Sequence, residues 1–221
     1  MLHYACWRGK EAMAKHIVDK YPKLLCEETY EGYSVLLCAA FGGNIKLFKQ
    51  MNKLMEESLY FYQSANEYAT KEIRYLRINK TNQETIFHMS CLGGGLEMTK
   101  YLVKTYLTML HEVDNSKRTP AHNAAHSGNI ALLSYLIERG IDPWCRTSEE
   151  ETLLHRACTN GQLEMTKYLL QTYPTMLHEV DNSKRTPAHK AALSGNVSVL
   201  SYLIECGIDP WCRTSEEETL L

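Results

Sequence analysis

Short apolar runs alternate with short polar segments along most of the chain, at the spacing of amphipathic helices. The run 130–138 has apolar side chains at i, i+3 and i+4 positions and follows Asn129, a residue favoured as a helix N-cap. The run 120–127 follows Thr119 and begins with a proline, whose missing N–H costs nothing at that position. Because two helices of roughly ten residues cannot cover their own apolar faces, such pairs must stack. The pattern therefore predicts an all-α protein built from helix pairs.

The sequence is internally repeated. Residues 85–151 align without a gap with residues 152–218, and about three quarters of the aligned positions are identical. Threonine recurs every 33 or 34 residues, at Thr85, Thr119, Thr152, Thr186 and Thr219, and the same frame reaches back to Ser34 and Met1. Each apolar segment of this frame ends at a glycine, namely Gly9, Gly43, Gly95, Gly128, Gly161 and Gly195. A recent duplication explains the near-identity, so the repetition informs the fold and not the function.

A six-residue motif opens three of these segments. It reads T-P-A-H-N-A at 119–124, T-L-L-H-R-A at 152–157 and T-P-A-H-K-A at 186–191. This unit resembles the ankyrin repeat, which has a period of about 33 residues and a T-P-L-H-x-A signature. The resemblance implies an all-α ankyrin-repeat solenoid of helix-turn-helix pairs with projecting β-hairpin-like loops. It also implies a concave face formed by the loops and the first helices.

The frame predicts a single ankyrin-repeat domain over residues 1–221. Its repeats are 1–33, 34–84, 85–118, 119–151, 152–185 and 186–218, and 219–221 begins a truncated next repeat. The second repeat is about 18 residues too long, which places an insertion near 53–75. Good helix formers there predict that the second helix of this repeat runs on, and its five aromatic residues either pack on themselves or form a contact surface. Because both ends expose apolar edges, we expect a fragment of a longer protein or an incomplete gene product.

The loop tips depart from the family pattern. The glycine usual two residues before the threonine is present only as Gly32. The residues Gln83, Lys117, Glu150 and Lys184 stand at the equivalent places. Most tips therefore lack the residue that adopts a positive φ most easily.

Composition and charge narrow the class of protein. The chain is 44% hydrophobic and 23% charged, with 24 basic and 26 acidic side chains, which suits a packed core and gives no reason to expect nucleic acid as a partner. No window approaches 18 uninterrupted apolar residues and the first residues lack an apolar leader, so no membrane insertion is expected in this segment. Eight cysteines without a C-x-x-C pair favour reduced, buried thiols and a cytoplasmic location.

Histidine and cysteine recur at fixed places in the repeat. His3, His88, His122, His155 and His189 stand three residues after the helix cap, where the resemblance implies hydrogen bonds between neighbouring repeats. Cys6, Cys91 and Cys158 fill a small, buried position. We therefore expect no metal site and no cofactor. A Cys–His nucleophile formed by Cys158 and His155 stays open as an alternative, and a buried, unreactive thiol would eliminate it. Without a phosphate loop or a carboxylate pair at working spacing, we expect no enzyme.

The loops supply the candidate binding residues. Trp144 and Trp211 lie in identical D-P-W-C-R segments, and each either packs on the neighbouring loop or forms an exposed aromatic anchor beside an arginine. The loop tips alternate in charge, which we interpret as fixing the register of a partner more than stabilising the stack. The candidate protein-binding residues are Trp144, Arg146, Glu149, Lys184, Arg185, Trp211, Arg213 and Glu216.

The sequence thus indicates a non-catalytic scaffold or adaptor that binds an intracellular protein along the concave loop and helix face. The alternative is a cytosolic ankyrin stack of a larger ion channel or signalling enzyme whose functional domain lies elsewhere. The exposed terminal repeats offer a route to self-association. The sequence does not name the partner.

Overall fold

The computed structural model describes residues 1–63, 79–209, 211–215 and 219. The all-α prediction is confirmed, because this part of the chain contains twelve α-helices and no β-strand. The helices are α1 (Leu2–Trp7), α2 (Glu11–Lys20), α3 (Val35–Gly42), α4 (Ile45–Gln63), α5 (Ile86–Leu92), α6 (Leu96–Tyr106), α7 (Pro120–Ser127), α8 (Ile130–Glu138), α9 (Leu153–Thr159), α10 (Leu163–Thr172), α11 (Pro187–Leu193) and α12 (Val197–Glu205). Short 3₁₀ helices follow α2, α6 and α10, at Pro22–Leu25, Leu107–Met109 and Pro174–His178.

The helices fall into two compact units, Met1–Asn115 and Ser116–Leu221. In the first unit α1, α3 and α5 pack side by side, and each also packs on the helix that follows it. In the second unit α7, α9 and α11 do the same. The apolar face of each pair is thus covered by its neighbours, as the length of the helices requires.

Four of the first helices, α5, α7, α9 and α11, begin with a capping box. The backbone N–H of Thr119 donates to Nδ1 of His122 at 3.1 Å, and the threonine side chain accepts from the third residue of the helix in return. The same reciprocal arrangement begins α5, α9 and α11. Asn129 caps α8 by accepting from the N–H of Leu132 at 3.0 Å. The histidine of the motif therefore takes the place that Glu or Gln fills in the usual capping box, as the sequence predicted.

The turn after α5 corrects one prediction. Gly94 has the positive φ there, at 70°, whereas Gly95 has a φ of −81° and is the N-cap of α6. Residues 93–95 are all glycine, so any of them could adopt the positive φ. The prediction chose Gly95, whereas the structure uses Gly94. After α7 the left-handed residue is Gly128, with a φ of 78°, as expected.

The loop tips adopt the strained conformation that the missing glycines indicated. The first loop uses Gly32, with a φ of 79°. The other tips hold non-glycine residues at φ values of 55° to 62°, namely Gln83, Lys117, Glu150 and Lys184. A side chain with a Cβ is disfavoured there, so each tip stores a small local strain.

The long second repeat extends α4. This helix runs from Ile45 to Gln63, 19 residues, and confirms that the second helix of the repeat continues into the insertion. Its buried side chains Phe48, Met51 and Met55 join the core of the first unit. The remainder of the predicted insertion, 64–75, lies outside the described residues.

Candidate protein-recognition site

Backbone hydrogen bonds join consecutive loops of the second unit. The N–H of Ser148 donates to the carbonyl of Ser116 at 2.8 Å, and the N–H of Asn182 donates to the carbonyl of Glu149 at 3.0 Å. The side-chain amide of Asn182 adds a bond to the carbonyl of Ser148 at 3.1 Å. The loop tips are therefore fixed in a row.

A histidine ties this row to the first helices. In α9, Nδ1 of His155 accepts from the N–H of Thr152 at 3.2 Å, so its Nε2 carries the proton and donates to the carbonyl of Arg185 at 3.0 Å. Burial lowers the pKa of His155 to about 4, and the ring is neutral. We call the surface made by α9, α11 and the loops 142–152 and 177–186 the loop–helix face.

A charged cluster lies on the loop–helix face. Lys190 of α11 pairs with Glu151 at 2.5 Å and with Asp181 at 3.0 Å. Arg156 of α9 approaches Glu151 at 3.7 Å, and Arg185 pairs with Asp181 at 2.8 Å. Lys190 and Asp181 are buried and the other three are mostly buried. The cluster therefore joins three consecutive repeats, since Glu151 belongs to 119–151, Asp181 to 152–185 and Lys190 to 186–218.

The cations of the cluster keep its carboxylates ionised. Burial by itself raises the pKa of Glu151, but Lys190 and Arg156 outweigh it and hold that pKa below its usual value. The pKa of Asp181 is also held below its usual value. Burial raises that pKa, but the backbone N–H of Arg185 and the ammonium of Lys190 together lower it by more. These charges form ion pairs with one another within the protein. They therefore stabilise the loop–helix face rather than attract a charged partner from a distance.

Two of the predicted binding arginines are engaged within the chain. Arg146 donates to the carbonyl of Glu150 at 3.1 Å and to the carboxylate of Glu179, which belongs to the next loop. Arg185 donates from Nε to Asp181 at 2.8 Å, and its carbonyl receives the His155 bond. Both arginines hold loops in place.

The two predicted tryptophans differ in their contacts. The ring of Trp144 meets the ring of Tyr173 edge-on, with centroids 5.9 Å apart, yet 39% of Trp144 stays exposed. Trp211 is 67% exposed. In each case the backbone N–H of the tryptophan donates at 2.9 Å to the carboxylate of the aspartate two residues earlier, Asp142 or Asp209, which fixes the backbone of the loop.

Four predicted residues remain, and the structure describes three of them. Glu149, Lys184 and Arg213 are exposed. Glu216 lies outside the described residues. The structure thus brings Trp144, Glu149 and Lys184 onto one row of loops.

The charged cluster is a feature that the sequence did not predict. Arg156 and Lys190 both occupy the residue after the motif histidine, where Met89 and Asn123 stand in other repeats. The sequence did contain a signal for the cluster. The residue after the motif histidine varies although the repeats are otherwise nearly identical, and it is charged in two of them.

The Cys–His alternative finds no support in the geometry. Cys158 is fully buried, burial raises the pKa of its thiol to about 12, and its Sγ lies 3.8 Å from the hydroxyl of Thr166. Nδ1 of His155 is taken by Thr152. A thiol in this state is no nucleophile at neutral pH. Among the described residues, no three His, Cys, Asp or Glu side chains are placed to hold a metal ion. Nor does any helix in the described ranges have the length and apolar character needed to cross a membrane.

A family model described as ankyrin repeats (3 copies) matches residues 59–147 and 141–214. Together the two matches extend over more than half of the chain.

Several characterised proteins are similar in sequence. Alpha-latrocrustotoxin-Lt1a of Latrodectus tredecimguttatus is 25% identical over 174 residues, which cover 72% of this chain and 12% of the toxin. A transient receptor potential cation channel subfamily A member 1 homolog of Caenorhabditis elegans is 28% identical over 138 residues, 62% of this chain and 11% of the channel. NF-kappa-B inhibitor alpha of Mus musculus is 31% identical over 112 residues, 48% of this chain and 36% of the inhibitor. The chain thus spans about a tenth of the length of the first two relatives.

Proposed function

Because this chain belongs to the ankyrin-repeat family, we propose that it is a non-catalytic recognition module that binds another protein along the loop–helix face of its second unit. Ankyrin repeats mediate protein–protein interaction, since stacked repeats present an extended modular surface. Hydrogen bonds between neighbouring loops fix the backbone of this face, and its side chains differ between adjacent repeats. An adaptor or scaffold requires both properties to bind one partner selectively.

One observation carries this proposal. Trp144 keeps 39% of its surface exposed on a loop that backbone bonds hold in place, and Glu149 and Lys184 are exposed on the same row of loops. A fixed, exposed tryptophan loses little conformational entropy on binding, which is why this residue type is enriched at binding hot spots. Trp211, Arg213 and Glu216 occupy the equivalent sequence positions in the second 67-residue block and extend the proposed contact set.

Affinity capture with single variants tests the proposal. The chain is immobilised and proteins captured from cell extract are compared for the unsubstituted chain, Trp144→Ala, Trp211→Ala and the control Tyr135→Ala, which alters a partly exposed aromatic of α8. We expect a defined set of proteins to be lost with the two tryptophan variants and retained with the control. Retention by all variants, or equal loss with Tyr135→Ala, would contradict binding through the loop–helix face.

A second candidate is that the chain is the ankyrin stack of a larger ion channel or signalling enzyme. The favouring observation is the channel relative, of which the matched region forms only 11%. Sequencing the complete transcript decides the matter, because transmembrane or catalytic segments in the same reading frame support this candidate and a stop codon on both sides removes it.

The proposed setting is intracellular and cytoplasmic, with a protein partner and without nucleic acid or a cofactor. Eight free cysteines, half of them buried, support a reducing compartment. Self-association through a terminal repeat is supported by Leu193 and Val197, which are 66% and 71% exposed. Sedimentation velocity of the chain and of Leu193→Asp measures it, since the substitution removes an apolar contact surface without touching the core.

A further inference from the structure

The first unit carries a group of aromatic side chains on helices α1 and α3 and on the loop that precedes α3. The ring of Trp7, in α1, stacks on Phe41 of α3 with centroids 4.1 Å apart and an interplanar angle of 29°. The ring of Tyr33 meets Trp7 edge-on at 6.3 Å and 82°. Tyr4 precedes Trp7 by three residues, so both lie on one face of α1. We call these four residues the aromatic stripe.

A glycine sets the spacing of the stripe. A Cβ on Gly42 would lie 2.4 Å from the carbonyl oxygen of Cys6 and 2.8 Å from that of Trp7. Only a residue without a side chain lets α3 approach the end of α1 this closely. The stacking of Trp7 on Phe41 follows from this backbone contact.

The stripe is open to solvent. Tyr4 is 69% exposed, and Trp7, Tyr33 and Phe41 are each partly exposed. Tyr30 is fully exposed at the tip of the loop that carries Tyr33, and this loop is closed by a bond from the N–H of Thr29 to the carbonyl of Tyr33 at 3.0 Å. Exposed aromatics grouped on a fixed backbone mark a binding surface more often than isolated ones do.

Carboxylates border the stripe. The segment 26–34 contains three acidic residues, Glu27, Glu28 and Glu31, and no basic one. Glu28 pairs with Lys80 at 2.8 Å, whereas Glu31 is exposed at the tip beside Tyr30. On the next loop, the buried Glu84 accepts from the Tyr33 hydroxyl at 3.2 Å and from the side-chain amide of Asn82 at 2.8 Å, so it holds Tyr33 in place and Glu31 is the carboxylate open to a partner.

We propose that the aromatic stripe, with Tyr30 and Glu31, binds an arginine- or lysine-bearing segment of a protein partner. A cation over an aromatic face is attracted by the ring, and nearby carboxylates strengthen that attraction. An acidic segment or a nucleic acid is repelled by the same carboxylates, and a purely apolar segment gains nothing from them. The inference extends protein recognition to the first unit, through residues that the loop–helix face does not contain.

Defined peptides test this binding mode. A labelled Gly-Ser peptide with three arginines is titrated with the full chain by fluorescence anisotropy at low salt, beside the same peptide with three citrullines or three glutamates. Citrulline keeps the shape of arginine without its charge. We expect saturable binding of the arginine peptide, weaker binding of the citrulline peptide by roughly fivefold or more, and the weakest binding of the glutamate peptide.

Surface variants locate the site without disturbing the core. Tyr30→Ala and Glu31→Lys should each weaken binding of the arginine peptide by roughly threefold or more. The controls Tyr21→Ala and Asp19→Lys change exposed residues of the same types elsewhere in the first unit and should leave binding within experimental error.

Three results would overturn the proposal: no saturable binding of the arginine peptide, equal binding of the citrulline peptide, or equal losses in variants and controls. Trp144→Ala should leave peptide binding unchanged. Failure of the aromatic stripe and failure of the loop–helix face are therefore distinguishable, because each has its own probe and its own variants.

Discussion

His155 donates a hydrogen bond to the carbonyl of Arg185, 30 residues further along the chain, at 3.0 Å. The same ring accepts from the N–H of Thr152 at the start of its own helix. One neutral imidazole thus closes a helix terminus and fixes the loop that leads into the next repeat. A second proton on the ring would remove the acceptor that Thr152 uses.

We predict that acid weakens the second unit through this histidine. The pKa of His155 in the folded chain, about 4, lies below the ordinary value of 6.5, so the unfolded chain takes up the proton first as the pH falls. The contribution of His155 to the free energy of unfolding therefore has its full value above pH 6.5. It decreases by roughly 3 kcal/mol as the pH falls from 6.5 to 4. Urea denaturation at several pH values across this window measures the decrease.

The variant His155→Gln isolates the effect. Gln fits the capping-box position and takes up no proton, so it should reduce the pH dependence in this window, of which His126 and His3, whose pKa values burial also lowers, supply a further part. His178→Gln, at an exposed histidine, is the control and should keep the dependence of the unsubstituted chain. Glu151 and Asp181 lose their charge only below their ordinary pKa range, so they do not account for a change above pH 5. An unaltered slope in His155→Gln would contradict the prediction.

The helix caps could be predicted from the sequence because a cap depends on residues three apart. Thr119 and His122 form the predicted reciprocal bonds for that reason. The backbone conformation of the loop tips could be predicted equally well, because Glu150 and Lys184 stand where the repeat usually has a glycine with a positive φ. Local spacing sets both features.

The charged cluster could not be predicted from spacing. The ion pair of Lys190 with Asp181 depends on which side chains adjacent repeats bring together once they have stacked. The two 67-residue blocks carry the same aspartate but differ at the lysine, where the earlier block has Asn123. The exposure of Trp144 is likewise a property of the stack, because Tyr173 of another helix pair covers part of its ring.

We predict that Lys190→Met destabilises the chain by about 3 kcal/mol, because Glu151 and Asp181 would lose a buried cation that satisfies both. Lys167→Met is the matched control. Its ion pair with Glu164 is also short, at 2.8 Å, but exposed, so the loss should stay below about 1 kcal/mol. Urea denaturation at neutral pH measures both variants, and similar losses would show that burial does not decide the strength of the pair.

The strained loop tips predict stabilising substitutions. Lys184→Gly should raise the free energy of unfolding by about 1 kcal/mol, because glycine adopts its φ of 57° without steric cost. Gly32→Ala should do the reverse, since a Cβ there would meet the Thr81 hydroxyl at 2.7 Å and would sit at a φ of 79°. Thermal melting of the two variants measures the opposite signs, and a loss of stability in Lys184→Gly would contradict strain at that tip.

Thiol reactivity should follow burial. Cys26 and Cys206 are exposed and should react with a chromogenic disulfide reagent in the folded chain. Burial raises the pKa of the thiols of Cys6, Cys38, Cys91 and Cys158 to about 12, so these four should react only after unfolding. Mass spectrometry of the labelled peptides identifies the sites. Rapid labelling of Cys158 in the folded chain would revive the nucleophile hypothesis.

Charge reversal on one loop separates binding from stability. Lys184 is exposed at the tip, so Lys184→Glu should reduce capture of a partner by the loop–helix face and leave the melting temperature unchanged within a degree or two. Arg185 is tied to the buried Asp181 at 2.8 Å, so Arg185→Glu should lower the melting temperature, because it sets two carboxylates side by side. Capture assays beside thermal melting give both readouts. Unchanged capture with Lys184→Glu would mean that the charge at this tip does not set the register of the partner, and the contact would then depend on Trp144 and its neighbours alone.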